Sequence, residues 1–453
     1  MKKFLCVLFS MAVLLAVLPL SCFAEKTEKS EKVEIYGNKI SVHAKQICFV
    51  KGSEEKDGFY STFYDDSFKN YYYVGDATID FKVVAQKLPE LQNLVVIRSD
   101  VKNLSALKNL NDLVWLGLHQ CDGSENLSFL KNLTGLKKFR YTNIYGETEC
   151  ESINPVSFLK NLTELYLDVK ASAIDDITVL KGLTKLKKLD LQHAGGDDVS
   201  VIKRFKNLKE LTLRLSSGDT DVSFLSSLAK LEKLDISGDT KNISTVAKLK
   251  KLKDLDIDST EEDLSFIGEM TWLEQLSLSY VDKSFTKNIG DLKKLKKLSL
   301  MDINNYRYFD MSFLQELESL EDLFVMGNFS LDITGISKLK NLKSAAIMLC
   351  KFKDLSELKK CKALEELIIY NNNSSFDIKW IEGSNIKDLR ISDGADGGIK
   401  NMEKLGTLKS MTYLLMDFTG ISDETAKAIK KAVPKCKIEV CELGYGDYNT
   451  TYY

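Results

Sequence analysis

Between Leu88 and Val440 aliphatic residues return on a fixed schedule. Phe158 to Asp168 reads FLKNLTELYLD, Val179 to Gln192 reads VLKGLTKLKKLDLQ, and Phe224 to Gly238 reads FLSSLAKLEKLDISG, all versions of one template, LxxLxxLxxLxL. Its strand-opening site falls at Leu94, Leu113, Leu136, Leu162, Leu186, Leu208, Leu231, Leu252, Leu273, Leu295, Leu320, Leu342, Leu364, Ile386 and Met411. The closing LxL alternates as a strand buried on one face does. A second signature precedes most copies: an aliphatic residue, Ser or Thr, any residue, then another aliphatic. It appears at Leu127-Ser128-Phe129-Leu130, Val156-Ser157-Phe158-Leu159, Ile177-Thr178-Val179-Leu180, Val222-Ser223-Phe224-Leu225, Leu264-Ser265-Phe266-Ile267 and Ile333-Thr334-Gly335-Ile336, and marks the return side of each coil.

Fifteen copies about 22 residues apart sit inside the roughly 20–29 window of one repeat class. On these residues the chain resembles the leucine-rich repeat superfamily, and within it the bacterial 22-residue arrays of internalin and Sds22-like type. The resemblance implies an α/β fold: a right-handed solenoid of about fifteen coils with a parallel concave β-sheet, an N-terminal cap and a C-terminal helical cap. The family's usual Asn, three residues after the last strand leucine, survives only at Asn328 and Asn372; Cys121, Ile144, Lys170, Ala194, Ser216, Asp239, Thr260, Val281, Ile303, Cys350, Gly394 and Thr419 stand there instead. Looser, less regular turns are the expectation.

The chain ends carry different patterns. Residues 1–24 have the form of a signal peptide, with Lys2 and Lys3, the apolar run Phe4 to Leu18, and Cys22-Phe23-Ala24 before Glu25. Leu20-Ser21-Cys22 also outlines a lipobox in which Cys22 would be acylated, although Pro19 occupies a site that wants an aliphatic residue. Residues 25–32 read as a flexible leader. Residues 33–87 lack the period and read as an N-terminal cap region: Val33 to Tyr36 and Lys39 to Val42 suggest a hairpin turning at Gly37-Asn38, and an aromatic segment, Phe59 to Val74, follows. The repeats span 88–420. In 421–441, Ser422 opens a helix with Asp423 and Glu424 in its first turn and Lys430 and Lys431 in its last, closed by Pro434. The Gly- and Tyr-rich tail 442–453 reads as disordered.

Lys and Arg number 63 against 65 Asp and Glu, and losing Lys2 and Lys3 makes the balance more acidic, so no nucleic-acid footprint exists. Seven of nine cysteines follow residue 24, an odd number for a disulfide framework. Cys121, Cys350 and Cys361 occupy template sites and read as small buried hydrophobes; Cys436 and Cys441 are poorly placed to bond each other; Cys48 and Cys150 are the candidates for a bridge. His43, His119 and His193 stand in unrelated contexts, with no zinc, nucleophile-elbow or phosphate-loop motif. No enzyme, cofactor or metal is expected. The sequons at Asn132 and Asn161 fall inside the template and read as products of the period.

Strand alternation lets the outward positions be written down. The central column runs Arg98, Gly117, Arg140, Tyr166, Asp190, Thr212, Asp235, Asp256, Ser277, Ser299, Phe324, Ala346, Ile368, Arg390, Leu415; the column two residues on begins at Asp100 and includes His119, Asp258, Met301, Met326, Met348 and Tyr370. Two patches follow. Met301, Phe324, Met326, Met348, Ile368 and Tyr370 form an apolar stripe of the composition that anchors protein partners. Asp235, Asp254, Asp256 and Asp258 form an acidic patch too extended along its strand to wrap one metal ion, suited to steering a partner. The expectation is a secreted, monomeric, non-enzymatic recognition protein whose concave face binds another protein, a host or neighbouring-cell surface protein being the candidate; the alternatives are a lipoprotein scaffold tethered through Cys22 and a glycan-binding module. The missing wall anchor and post-repeat module weaken an adhesin reading.

Overall fold

The computed structural model describes residues 31–52, 71–144, 149–174, 176–194, 198–216, 218–303, 308–327, 330–352, 354–370, 376–392, 398–417, 419–443 and 448–453. Residues 1–30, Cys22 among them, most of the aromatic segment after Phe59, and Asn328, Asn372 and Gly394 lie outside the described residues.

Two compact units divide the chain, residues 1–208 and 209–453, and each stacks parallel strands joined through short return turns. In the first, parallel strands are ordered Tyr71–Tyr73, Gln46–Val50, Asn93–Ile97, Trp115–His119, Lys138–Asn143, Glu164–Val169 and Lys188–Ala194. In the second they run Glu210–Leu215, Lys233–Ser237, Asp254–Asp258, Gln275–Ser279, Lys297–Met301, Asp322–Met326, Ser344–Met348, Glu366–Tyr370, Asp388–Ser392, Tyr413–Asp417 and Lys437–Leu443. Neighbours pair aliphatic on aliphatic: Leu234 with Leu255 and Leu255 with Leu276, Ile236 with Ile257, none more than 2% exposed. Burying each such side chain favours the fold by roughly 1.5–3 kcal/mol.

The Ser/Thr signature becomes a short 3-10 turn on the return side, and its start holds a feature that the aliphatic pattern hides. An Asp two residues before the Ser or Thr accepts the backbone N–H of that residue: Asp176 from Thr178 (2.8 Å), Asp198 from Ser200 (2.8 Å), Asp221 from Ser223 (2.8 Å), Asp263 from Ser265 (2.8 Å) and Asp332 from Thr334 (2.9 Å), with Asp282, Asp310 and Asp354 doing the same and Asp377 accepting likewise from Lys379. The carboxylate satisfies a donor that a short turn leaves orphaned. The template Asn immediately before a leucine ties coils together: the amides of Asn161, Asn207, Asn341 and Asn385 donate to the carbonyls of Thr134, Thr184, Glu318 and Lys362, one coil earlier. Asn161, the sequon residue, is thereby a structural residue.

The turns where other residues stand at the expected Asn site are stitched by backbone instead. After several strands the next residue takes positive φ, as at Arg98, Gln120, Ser259, Tyr280, Asp302 and Leu349, and its N–H meets the next coil. Gln120 donates to Thr142 O (2.9 Å), Ser259 to Ser279 O (2.9 Å), Asp302 to Met326 O (2.7 Å) and Leu349 to Tyr370 O (2.9 Å). At one former Asn site the Cys121 thiol donates to Val96 O at 3.3 Å.

A charge column borders the second unit's sheet. The residue after each template leucine alternates sign across nine coils: Lys209, Glu232, Lys253, Glu274, Lys296, Glu321, Lys343, Glu365, Lys387. Adjacent pairs close to 2.8 Å (Lys209 and Glu232, Lys253 and Glu274), 3.1 Å (Lys296 and Glu274) and 2.7 Å (Lys343 and Glu321, Lys387 and Glu365). Exposed pairs contribute little singly, but the column opposes any mispairing of like-charged coils.

Four expectations are corrected. The first repeat opens at Leu91, not Leu94: Val95 pairs with Gly117 and Ile97 with His119, so Arg98 and Asp100 lie past the strand. Residues 33–87 are more than a cover, because Gln46–Val50 and Tyr71–Tyr73 extend the sheet and Phe81–Lys87 forms a helix. The hairpin Lys32–Ile35 with Asn38–Ser41 turns at Tyr36-Gly37, both at positive φ. In the tail, Tyr448–Tyr452 pairs antiparallel with Lys437–Leu443; chain reversal brings an uncharged, Thr- and Tyr-rich segment against an open edge, which propensity alone undervalues. All seven described cysteines are free, Cys48 and Cys150 included. The helix Asp423–Ala432 begins at Ser422, whose hydroxyl accepts from Thr425 N, and buries Ala426 and Ile429. Among the described residues no helix is long and apolar enough to cross a membrane.

Two outcomes are expected. Hydrogen bonds hold the turn carboxyls below their ordinary 3.8, with the hydroxyl the larger cause at Asp176, Asp198 and Asp332 and the N–H at Asp221 and Asp263. A depressed folded value means that this stability is complete above 3.8 and disappears as pH falls through the folded values, so the turn aspartates contribute a constant amount above pH 5 and thermal midpoints should drop below pH 4, less steeply after Asp263→Asn. A Cβ at Gly335 would lie 2.7 Å from Ser312 O and 2.9 Å from Gln315 N; Gly335→Ala should cost about 1–3 kcal/mol in urea denaturation.

Candidate functional site

The apolar stripe is assembled by strand register. Met301 pairs with Met326, Met326 with Met348 and Met348 with Tyr370, while Phe324, Ala346 and Ile368 pair in the adjacent column. All face outward, since Leu298, Leu300, Leu323, Val325, Ile347 and Ile369 between them fill the interior at 3% exposure or less. The stripe is less open than alternation alone implies. Met301, Phe324, Met348, Ile368 and Tyr370 are half-buried, and Met326 and Ala346 retain only 6% and 7% exposure. Coil spacing of about 4.8 Å is narrower than a Met or Phe side chain, so central members are shielded by their neighbours. The result is a continuous apolar surface. Burial pushes the Tyr370 phenol up to about 12. At its far edge Arg390 grips Asp388 through Nε (3.1 Å) and Nη2 (2.9 Å) and stacks on Tyr413 with its guanidinium 5.3 Å from the ring centre.

The four aspartates also meet as register requires, Asp235 opposite Asp256 and Lys233 opposite Asp254, but they are not an evenly solvated acidic face. Arg214 clamps Asp235 with contacts of 2.6 and 2.8 Å, and Lys233 holds Asp254 at 2.9 Å. Asp258 accepts from the Ser259 hydroxyl at 2.8 Å. Asp256 is the strained member: burial first, then the Asp235 carboxylate, raises it to about 7, against the opposing pull of Arg214 and a Ser277 hydrogen bond. Two of the four charges are thus matched within the sheet. Even so, the outward strand positions of the second unit carry ten acidic side chains against five basic ones (Arg214, Lys233, Lys297, Arg390, Lys437), so this face is more acidic than the chain as a whole. Among the described residues no three His, Cys, Asp or Glu side chains are grouped to hold a metal ion.

The first unit offers a different surface, which the two outward columns do not single out. Val95 fills the space over Gly117, where a Cβ would lie 2.9 Å from its Cγ2, and beyond it Trp115, Lys138, Arg140, Glu164, Tyr166, Lys188 and Asp190 line one hollow. Lys138 reaches Glu164 at 3.0 Å and sits 5.5 Å over the Trp115 ring, and Arg140 lies 5.1 Å over Tyr166. The signal was available as a column, since Trp115, Lys138, Glu164 and Lys188 are successive cross-strand partners. His119 behind it is buried, its imidazole driven down to about 3 by burial and then by Arg140, and remains neutral.

No family model and no curated protein matches the sequence. Among solved structures the chain is similar to a leucine-rich repeat (LRR) protein of Leptospira interrogans, at 21% identity and TM-score 0.48 over 78% of this chain and 90% of that one. It is similar to an internalin (inlF) from Listeria monocytogenes at 18% identity and TM-score 0.45, over 79% and 89%. It is similar also to the plant peptide hormone receptor RGFR1 in complex with RGF2, at 16% identity and TM-score 0.44, over 82% of this chain and 65% of that one.

The strain at Asp256 makes a signed prediction. Its folded value lies above the ordinary 3.8, so the fold binds the proton more tightly than the unfolded chain and loses stability as pH rises between about 4 and 7. Asp256→Asn should raise the denaturation midpoint at pH 8, by up to about 2 kcal/mol after solvent screening, and leave it near the parent value at pH 3.5. A variant destabilised at pH 8 would contradict this account.

Proposed function

We propose that this chain is a secreted, non-enzymatic recognition protein that binds another protein through the outward face of its strand sheet, using no cofactor. The carrying observation is the row of Met301, Met326, Met348 and Tyr370 on four successive strands with Phe324 and Ile368 alongside. Such a surface offers an adaptable apolar bed with two aromatic anchors. The excess of acidic outward positions in the same unit suits a partner whose apolar contact is flanked by lysine or arginine, with Asp235, Asp254, Asp256 and Asp258 setting its approach. The protein acts as a monomer, on a host or neighbouring-cell surface, and touches a membrane only if Cys22 is acylated, in which case it serves as a tethered scaffold.

The hollow around Trp115 and Tyr166 favours a second ligand class, since aromatic rings between interleaved acidic and basic side chains suit the apolar faces and hydroxyls of a glycan. Calorimetric titration with wall polysaccharides separates the readings: heat lost on Tyr166→Ala but kept on Tyr370→Ala supports the glycan site.

For the protein partner, Met348→Lys combined with Tyr370→Ala should keep the circular dichroism of the parent and reduce capture of crosslinked partners from surface extracts by about tenfold or more. Undiminished capture of the same partners by a folded double variant would place the site elsewhere.

A further inference from the structure

We infer that Met301, Met326 and Met348 also form a binding site for a soft monovalent cation, Cu(I) or Ag(I), held by three thioether sulfurs. The inference is independent of any protein partner, because it rests on donor chemistry alone. The three residues are direct cross-strand partners on successive coils. At about 4.8 Å per coil the outer two α-carbons stand roughly 10 Å apart, and each flexible side chain reaches about half that distance toward a point above Met326. Thioethers are the donors that select Cu(I) over hard cations. They carry no proton near neutrality, so unlike thiol or imidazole sites this one has no proton to displace.

The surroundings fit a soft cation. Met326 is 6% exposed, so its sulfur is already desolvated. Phe324 lies two residues earlier on the same strand face, where a ring favours an adjacent cation. The acidic outward positions of this unit raise the local concentration of cations. The neighbouring thiol does not compete: Cys350 is buried, donates to Met348 O at 3.2 Å, and burial raises it to about 12, so it stays protonated. The half-buried thiol, Cys441, lies three strands beyond Tyr370.

The test is an anaerobic titration of the reduced mature protein with Cu(I) against the chromophoric chelator bicinchoninate. One tight equivalent is expected, with equal affinity at pH 5.5 and 7.5 and a sulfur-only shell in X-ray absorption. Met326→Leu keeps volume and fold and should weaken the affinity about tenfold or more; Met301→Leu should do likewise and serves if the first variant is unstable. Cys441→Ser should change nothing. Parent-like affinity in both methionine variants, loss on Cys441→Ser, or loss at pH 5.5 would each overturn the assignment, and none of these readouts depends on whether a protein partner is ever captured.

Discussion

Each strand of this protein is completed only by its neighbours. An isolated coil has unpaired backbone groups along both edges and an apolar face too small to bury by itself. Parallel pairing in strict register solves both problems together, because a hydrogen-bonded coil also stacks its leucines on those of the next, as Leu234, Leu255 and Leu276 do. The positive-φ residues continue the ladder around the corner, with Ser259 and Asp302 donating one coil onward. Everything else in each unit is consistent with that stacking.

The same spacing governs the outward face. Coils close enough to bond are too close for large side chains to stand apart, so Met326 and Ala346 become nearly covered although nothing lies above them in sequence. Crowding also explains the aspartates: Asp235 and Asp256 face each other across one interval, and only the Arg214 clamp on Asp235 makes the pair tolerable, leaving Asp256 to carry the cost as a raised affinity for its proton. At the sheet border, where side chains are solvated, the regular exchange of Lys and Glu meets the same spacing with attraction.

The repeat was legible because fifteen copies correct one another. Where a single copy had to be judged, errors entered: Leu94 and Leu91 both fit a template leucine, and only pairing with Trp115–His119 chooses Leu91. Residues 33–87 and the tail hid their strands because they join the sheet without the period, through Gln46–Val50, Tyr71–Tyr73 and Tyr448–Tyr452. Other features were present in the sequence but masked by the louder leucine signal. The Asp before most of the signature Ser and Thr residues, the Asn before several template leucines and the Lys–Glu alternation all recur with the coil, and a column-by-column reading of polar positions would find them.

Sequence by itself determined the coil: which aliphatic residues turn inward, which positions face out, and therefore that Met301, Met326, Met348 and Tyr370 belong to one row. Period 2 within the strand and about 22 between coils leave little else possible. Tertiary structure alone decided how much of that row remains exposed, that Arg214 and Lys233 occupy two of the four aspartates, and that Trp115 and Tyr166 share a hollow. These depend on the distance between coils and on side chains far apart in the chain, quantities that a one-dimensional pattern does not contain.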